Sequence, residues 1–200
     1  IANFAKKALG GLGKALGGMA KAGVLGAMVA SVKLITDGLL RGDAAMAKLS
    51  ARTGLTRDAL KGVREEAGKA QVKMSQFGIT MEESLATAGN LVEAFGRADA
   101  ATGKLVESSI KLQKGYGLSA EAAANLVKEM KLAGRSADEF ATTLGVKATK
   151  AGMSASLIMR DLAAHSQKIS MYGERASDAY VDLAVQAAKA GTSLQAFEGV

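Results

Sequence analysis

The sequence predicts an all-α protein, built as an array of short amphipathic helices joined by glycine-containing turns. Three observations predict this fold class over the 200 residues. A Gly-x-Ser/Thr motif recurs along the chain, the apolar residues between motifs are spaced three and four apart, and no segment alternates as a strand does. The motif occurs at Gly54-Leu-Thr56, Gly78-Ile-Thr80, Gly117-Leu-Ser119, Gly134-Arg-Ser136, Gly152-Met-Ser154 and Gly191-Thr-Ser193.

The first predicted region is residues 1–41, a Gly/Ala/Lys-rich hydrophobic helical segment. It carries most of the net charge of +7, because six basic residues stand against Asp37 alone. Its lysines recur every seven residues and share one helix face, at Lys7, Lys14 and Lys21. Apolar side chains lie roughly opposite, at Leu9, Leu12, Leu16 and Met19. We expect these two faces to contact a partner or a membrane.

An uncharged apolar run at residues 22–32 ends this segment. It is shorter than the roughly 20 residues that span a bilayer, although Lys21 and Lys33 at its two ends could reach the membrane surface. The run is not typical of a secretory signal, because Lys33 and Asp37 stand where a cleavage site should begin.

The second predicted region, residues 42–200, is a helical quasi-repeat of mixed charge. Its first long helix has apolar residues at the spacing of a coiled-coil seam, which would serve self-association: Leu60, Val63, Ala67, Ala70, Met74 and Phe77. The pattern is shorter than three heptads, which favours an ordinary amphipathic helix over a coiled coil.

The Gly-x-Ser/Thr motif predicts where one helix stops and the next one starts. Glycine adopts the left-handed conformation just past a helix end, and Ser or Thr two residues later accepts a bond from free N–H groups of the next helix. Thr80 with Glu83, and Ser136 with Glu139, have the spacing of capping boxes. Gly173, followed by Ser177, is a looser copy.

The later helices are amphipathic and poor in bulky side chains. Their predicted apolar faces are Leu85, Ala88, Leu91, Val92 and Phe95; Leu126, Val127, Met130 and Ala133; and Tyr180, Leu183, Ala187 and Leu194. Aromatic residues make up 4% of the chain and tryptophan is absent. Because small side chains bury little area, we expect an isolated chain of marginal stability that self-associates.

No catalytic, cofactor or metal site is predicted. Cysteine is absent and His165 is the single histidine, which makes a zinc site improbable. Paired acids occur at Glu65-Glu66, Glu82-Glu83 and Asp138-Glu139, and the last two pairs favour helix starts. Two stretches, "ALGGLGKA" and "ADAATGKL", lack the first Gly and the Ser/Thr of a phosphate loop and follow no strand. Specific nucleic-acid binding is not expected either.

Two long stretches resemble bacteriophage tail tape measure proteins. They are "KLSARTGLTRDALKGVREEAGKAQVKMSQFGITMEESLATAGNLVEAF" and "GLSAEAAANLVKEMKLAGRSADEFATTLGVKATKAGMSASLIMRDLAAHSQKISMYG". The resemblance rests on the Gly-Leu/Ile-Ser/Thr restarts followed by Glu or Asp, on the Ala-rich short helices, and on the run from Arg160 to Ala163. It covers most of residues 42–200.

The resemblance implies a structural virion protein that fills the tail tube lumen, sets tail length and leaves during genome ejection. Implied partners are the tail tube, the tail tip or baseplate proteins, further copies of the chain in a trimer or hexamer, and the host inner membrane at ejection. Such proteins are usually far longer, so the chain would be a fragment of one, located inside the tail tube.

Two other readings of the sequence remain open. A membrane-active, pore-forming protein is the main alternative, because residues 4–35 resemble a cationic amphipathic peptide. A helical scaffold, with its repeats forming a solenoid surface, is the other.

Overall fold

Nine α-helices, together with two short 3-10 helices, make up the part of the chain that the structure describes. A computed structural model describes residues 42–198, except for the side chains of Arg57 and of residues 170–177, 197 and 198. These residues contain no strand, so the predicted all-α fold class is confirmed. The α-helices are α1 (42–53), α2 (Arg57–Met74), α3 (Met81–Phe95), α4 (Gly103–Tyr116), α5 (Ala120–Leu132), α6 (Ala137–Lys150), α7 (Ala155–Ala164), α8 (Ser166–Lys189) and α9 (Leu194–Glu198). The 3-10 helices are Ser75–Phe77 and Ala98–Ala100.

Left-handed glycines separate the helices where the motif predicts them. All six glycines of the Gly-x-Ser/Thr motifs have positive φ, between 65° at Gly54 and 77° at Gly134. At Gly134 the helix end is closed by a bond from Arg135 N to Met130 O at 2.9 Å, the longer bond of the Schellman motif. Gly96 ends α3 with φ 71° and with a bond from its own N–H to Val92 O, and it lies outside the motif because no Ser or Thr follows two residues later.

Capping by the Ser or Thr of the motif succeeds at some helix starts and fails at others. Side-chain oxygens accept an N–H bond from the next helix at Thr56, Thr80 and Ser119 of the motif, and also at Thr102 outside it, where ψ lies between 150° and 162°. The capping box of Thr80 and Glu83 is confirmed. The box predicted at Ser136 and Glu139 is wrong, because Ser136 has ψ 130° and its side chain makes no cap bond. Ser154, with ψ 111°, makes none either.

The restart predicted at Gly173 is also wrong, because this glycine lies inside α8. The helix runs on past this position to Lys189. A glycine inside a helix costs about 1 kcal/mol relative to alanine. Buried side chains later in α8, at Tyr180, Val181 and Ala184, supply the packing that outweighs such a cost.

Helix α5 lies at the centre of the core. It packs against α3, α4, α6, α7 and α8, and it buries residues around most of its circumference, including Ala124, Leu126, Val127 and Met130. Helix α2 likewise packs against both α3 and α4. The helices of the array therefore fold back around a common core instead of contacting only their neighbours in the chain.

The predicted seam of α2 faces this core. Five of its six residues are buried, namely Leu60, Val63, Ala67, Ala70 and Met74, whereas Phe77 is 60% exposed. Phe77 leaves the buried face because α2 ends at Met74 and the tighter 3-10 turn from Ser75 changes the rotation per residue.

The described residues belong to one compact unit, Gly42–Val200. The predicted first region, with Lys7, Lys14, Lys21, Leu9, Leu12, Leu16 and Met19, lies outside the residues that the structure describes. Among the described helices, none is both long enough and apolar enough to cross a membrane.

Candidate binding groove

An open groove of about 470 Å³ lies between α4, α5 and the start of α6. Its apolar lining residues are Leu105, Val127 and Ala137, which we call the floor of the groove. Hydroxyl groups of Ser108 and Ser136 also line it. The charged lining residues come from all sides, at Lys73, Lys104, Glu107, Lys131, Arg135 and Asp138. The groove thus combines an apolar floor with four cationic and two anionic side chains.

Ion pairs occupy both carboxylates of the groove. Lys111, from just outside the lining, lies 3.0 Å from Glu107 Oε1 and 2.8 Å from Asp138 Oδ2. Lys73 lies 3.4 Å from the other oxygen of Glu107. Arg135 pairs outward with Asp178 of α8 at 2.7 Å. Lys104 and Lys131 are exposed and have no ion pair among the described residues.

The pKa shifts around Lys111 follow from these contacts. Its hydrogen bond lowers the pKa of Glu107, although partial burial of the carboxyl opposes the shift. The hydrogen bond to Asp138 is the main contact that raises the pKa of Lys111. Both shifts favour the charged forms of Glu107 and Lys111.

The start of α6 opens into the groove without a side-chain cap. Ser136 and Ala137 both line the groove, and the Ser136 hydroxyl accepts no bond from the first turn. The first N–H groups of a helix have no partner within the helix and carry partial positive charge. Asp138 and Glu139 in the first turn of α6 offset part of this charge, so Lys104 and Lys131 supply most of the positive potential that attracts anions to the groove.

The start of α4 shows the opposite arrangement. Gly103 N donates to Glu66 Oε2 at 2.6 Å, and Lys69 also contacts this carboxylate. These two hydrogen bonds lower the pKa of Glu66, Lys69 contributing more than Gly103. Gly103-Lys104 is the pair in the stretch "ADAATGKL", and the position that a phosphate would take in a phosphate loop is therefore filled by a side chain of α2.

Two other titratable groups singled out in the sequence, His165 and Glu83, have structural partners. Nδ1 of His165 lies 2.9 Å from the carbonyl oxygen of Asp161, and Asp161 Oδ2 accepts the N–H of Leu194 at 2.7 Å. Glu83 accepts the N–H of Thr80 at 3.0 Å, the main cause of its lowered pKa. Among the side chains that the structure describes, no three from His, Asp or Glu are grouped to hold a metal ion.

Sequence reasoning did not find the groove. Lys104 lies 27 residues before Lys131 in the chain, and Arg135 lies in the turn between α5 and α6. Only the folding of α4 against α5 and α6 brings them to one cavity. The uncapped Ser136 gave no signal either, because its motif is the same as that of the capped Ser119.

Comparison of the chain with protein-family models, with curated proteins and with solved structures found no match.

Proposed function

We propose that the chain is part of a tail tape measure protein of a bacteriophage, a structural protein inside the tail tube of the virion. The observation that carries the proposal is the repeated restart of short, Ala-rich helices by Gly-x-Ser/Thr turns. Such a protein fills the lumen, sets tail length and leaves during genome ejection. Its proposed partners are the tube, the tip or baseplate proteins, other copies in a trimer or hexamer, and the host inner membrane.

Within this proposal, residues 42–198 form a folded body and do not act as an extended ruler. A compact chain of this size has a radius of gyration of about 15 Å. The same residues drawn out as one continuous helix would span roughly 235 Å. The helices pack around α5, so this part of the protein contributes little length, and the proposal assigns the measuring to other parts of a longer chain.

The first test is the mass and location of the native polypeptide. We expect peptides of this sequence in purified tailed particles, within a polypeptide far longer than 200 residues, by denaturing gel and mass spectrometry. A finished product near 20.4 kDa, absent from any particle, would contradict the proposal.

The second test is the length of the tail. In-frame deletions and duplications in the corresponding gene should shorten and lengthen the tail, measured by electron microscopy of negatively stained particles. Equal changes in a gene for another tail protein are the control. A tail length that does not respond to either change would rule out the measuring role.

A membrane-active protein is the second candidate, and the charge pattern of residues 1–41 favours it. Lys7, Lys14 and Lys21 at seven-residue spacing, with Leu and Met roughly opposite, are typical of a helix that lies on an anionic membrane. The full chain should then release dye from anionic vesicles, and replacement of the three lysines by Glu should abolish release. Equal release by both proteins, or none by the native chain at low salt, would exclude this function.

A further inference from the structure

We propose that the groove between α4, α5 and the start of α6 binds an acidic peptide segment of a partner protein, held by Lys104 and Lys131. This inference does not rest on the tail proposal. It rests on three observations at one place, which are two lysines without acidic partners, two carboxylates that are already occupied, and an apolar floor.

The charges of the groove favour a carboxylate ligand. Lys104 and Lys131 line the cavity and are exposed. Among the described residues neither forms an ion pair, whereas Lys111 holds Glu107 and Asp138. An acidic ligand therefore meets two available ammonium groups and no available carboxylate. The first N–H groups of α6, which the Ser136 side chain does not cap, also favour a negatively charged ligand.

The floor favours a peptide over a small inorganic anion. Leu105, Val127 and Ala137 line the groove together with Ser108 and Ser136, and Leu105 is the most exposed of the three apolar residues, since Val127 is 1% and Ala137 6% exposed. The volume of about 470 Å³ falls in the range of sites that bury organic ligands, roughly 300–1,000 Å³. Phosphate or sulfate would leave most of this surface wet, whereas an acidic segment with small apolar residues would cover it.

Nucleic acid fits the groove less well. No aromatic side chain lines it, and binding of single strands depends on stacking between bases and aromatic rings. Duplex binding depends on many cations that follow the phosphate backbone, and only two lysines of this groove are available. A short acidic segment needs no more than that.

Lysine footprinting tests the proposal on the intact chain. The probe is a short peptide of alternating Glu and Ala, and the control is the same peptide with Gln in place of Glu. We expect the acidic peptide to slow acetylation of Lys104 and Lys131 at least threefold, read residue by residue by mass spectrometry. Lys48 and Lys61, which are exposed outside the groove, should be labelled at the same rate with either peptide.

Charge reversal provides the second measurement. The double variant Lys104→Glu, Lys131→Glu should bind the labelled acidic peptide about tenfold more weakly in fluorescence anisotropy, as expected when two partly screened ion pairs are lost. The matched control, Lys48→Glu with Lys61→Glu, changes the net charge equally and should leave binding unaltered. Circular dichroism of both variants checks that they are folded. Because the footprint uses the native chain, the proposal stays testable if a variant fails to fold.

Three results would overturn the proposal. One is equal labelling of Lys104 and Lys131 with and without the acidic peptide. Another is an equal loss of binding in the groove variant and its control, which would indicate attraction by net charge alone. The last is protection of the two lysines by inorganic phosphate at the same concentration as by the peptide, which would indicate a small-anion site.

Discussion

Helices α4 and α6 each begin with backbone N–H groups that have no partner within their own helix. The side chains around these N–H groups differ between the two helices. At α4, Thr102 caps the first turn and Glu66 of α2 accepts the N–H of Gly103 at 2.6 Å. At α6, Ser136 makes no cap bond and the start borders the groove. A helix start thus becomes a packing contact when a neighbouring helix supplies a carboxylate, and stays open to ligands when none does.

We expect a larger side chain at Gly103 to have the largest effect on stability at the closed start of α4. A Cβ at this position would lie 3.3 Å from the carbonyl oxygen of Glu66, 3.3 Å from its Oε2 and 3.4 Å from Lys69 Cβ. We expect Gly103→Val to lower the free energy of unfolding by about 2 to 3 kcal/mol, as overpacking does, measured by urea denaturation. The control is Gly62→Ala in α2, where a Cβ meets no atom within 4 Å; it should raise stability by about 0.5 to 1 kcal/mol. A neutral Gly103→Val would show that α2 and α4 do not approach this closely.

Neutralisation of the Glu66 carboxylate should have the next largest effect on the free energy of unfolding. Glu66→Gln should lower the free energy of unfolding by about 1.5 kcal/mol at pH 7, because it removes the negative charge that strengthens the hydrogen bonds from Gly103 and Lys69. Glu65→Gln, at the exposed neighbouring position, should change stability little.

The pH dependence of this contribution follows from the lowered pKa of Glu66. The folded carboxyl binds a proton less tightly than the unfolded one, whose pKa is about 4.3. Its contribution is therefore complete above that value and is lost as the pH falls through the lower folded pKa. The difference between native chain and Glu66→Gln should narrow below about pH 4, and a constant difference down to strongly acidic pH would contradict the role of its charge.

How far the sequence predicted these features depends on whether their cause is local. Each left-handed glycine of a Gly-x-Ser/Thr motif was predictable, because its conformation and the following cap involve a few adjacent residues. Gly173 is also a glycine but lies inside α8, because the packing of residues further along the helix determines that the helix continues through it. The groove and the contact between Glu66 and Gly103 depend on pairs of residues 27 to 37 positions apart, such as Lys104 with Lys131, and no local pattern encodes such pairs.

Ser119 and Ser136 occupy the same position in two copies of the Gly-x-Ser/Thr motif, so they provide a further test of how the helix starts differ. Ser119 accepts the N–H of Ala122 at 3.1 Å, whereas Ser136 accepts none. We expect Ser119→Ala to lower the free energy of unfolding by about 1 kcal/mol and Ser136→Ala to change it by less than about 0.5 kcal/mol. Thermal and urea denaturation of the two variants measure the difference. Equal losses would mean that Ser136 caps α6 in solution and that the groove end is closed.

Substitution of Lys111 should have the smallest effect on stability. It tests whether the ion pairs of Lys111 strengthen the binding of acidic ligands to the groove. Lys111 is partly exposed and bridges Glu107 and Asp138, so Lys111→Gln should cost only about 0.5 kcal/mol of stability. It would, however, leave Asp138 without its ion pair at the groove wall. Since a like charge beside a carboxylate ligand repels it, we expect binding of the Glu and Ala peptide to weaken by about threefold.

Lys114→Gln is the matched variant for that measurement. Lys114 lies on the same helix and pairs with Glu83 of α3 at 3.0 Å, and neither residue lines the groove. This variant loses one positive charge and one ion pair, as Lys111→Gln does, so any effect of net charge or of general destabilisation is shared. A selective loss of peptide binding in Lys111→Gln would therefore place the acidic ligand beside Asp138. Equal binding by the two variants would mean that the peptide does not bind beside Asp138.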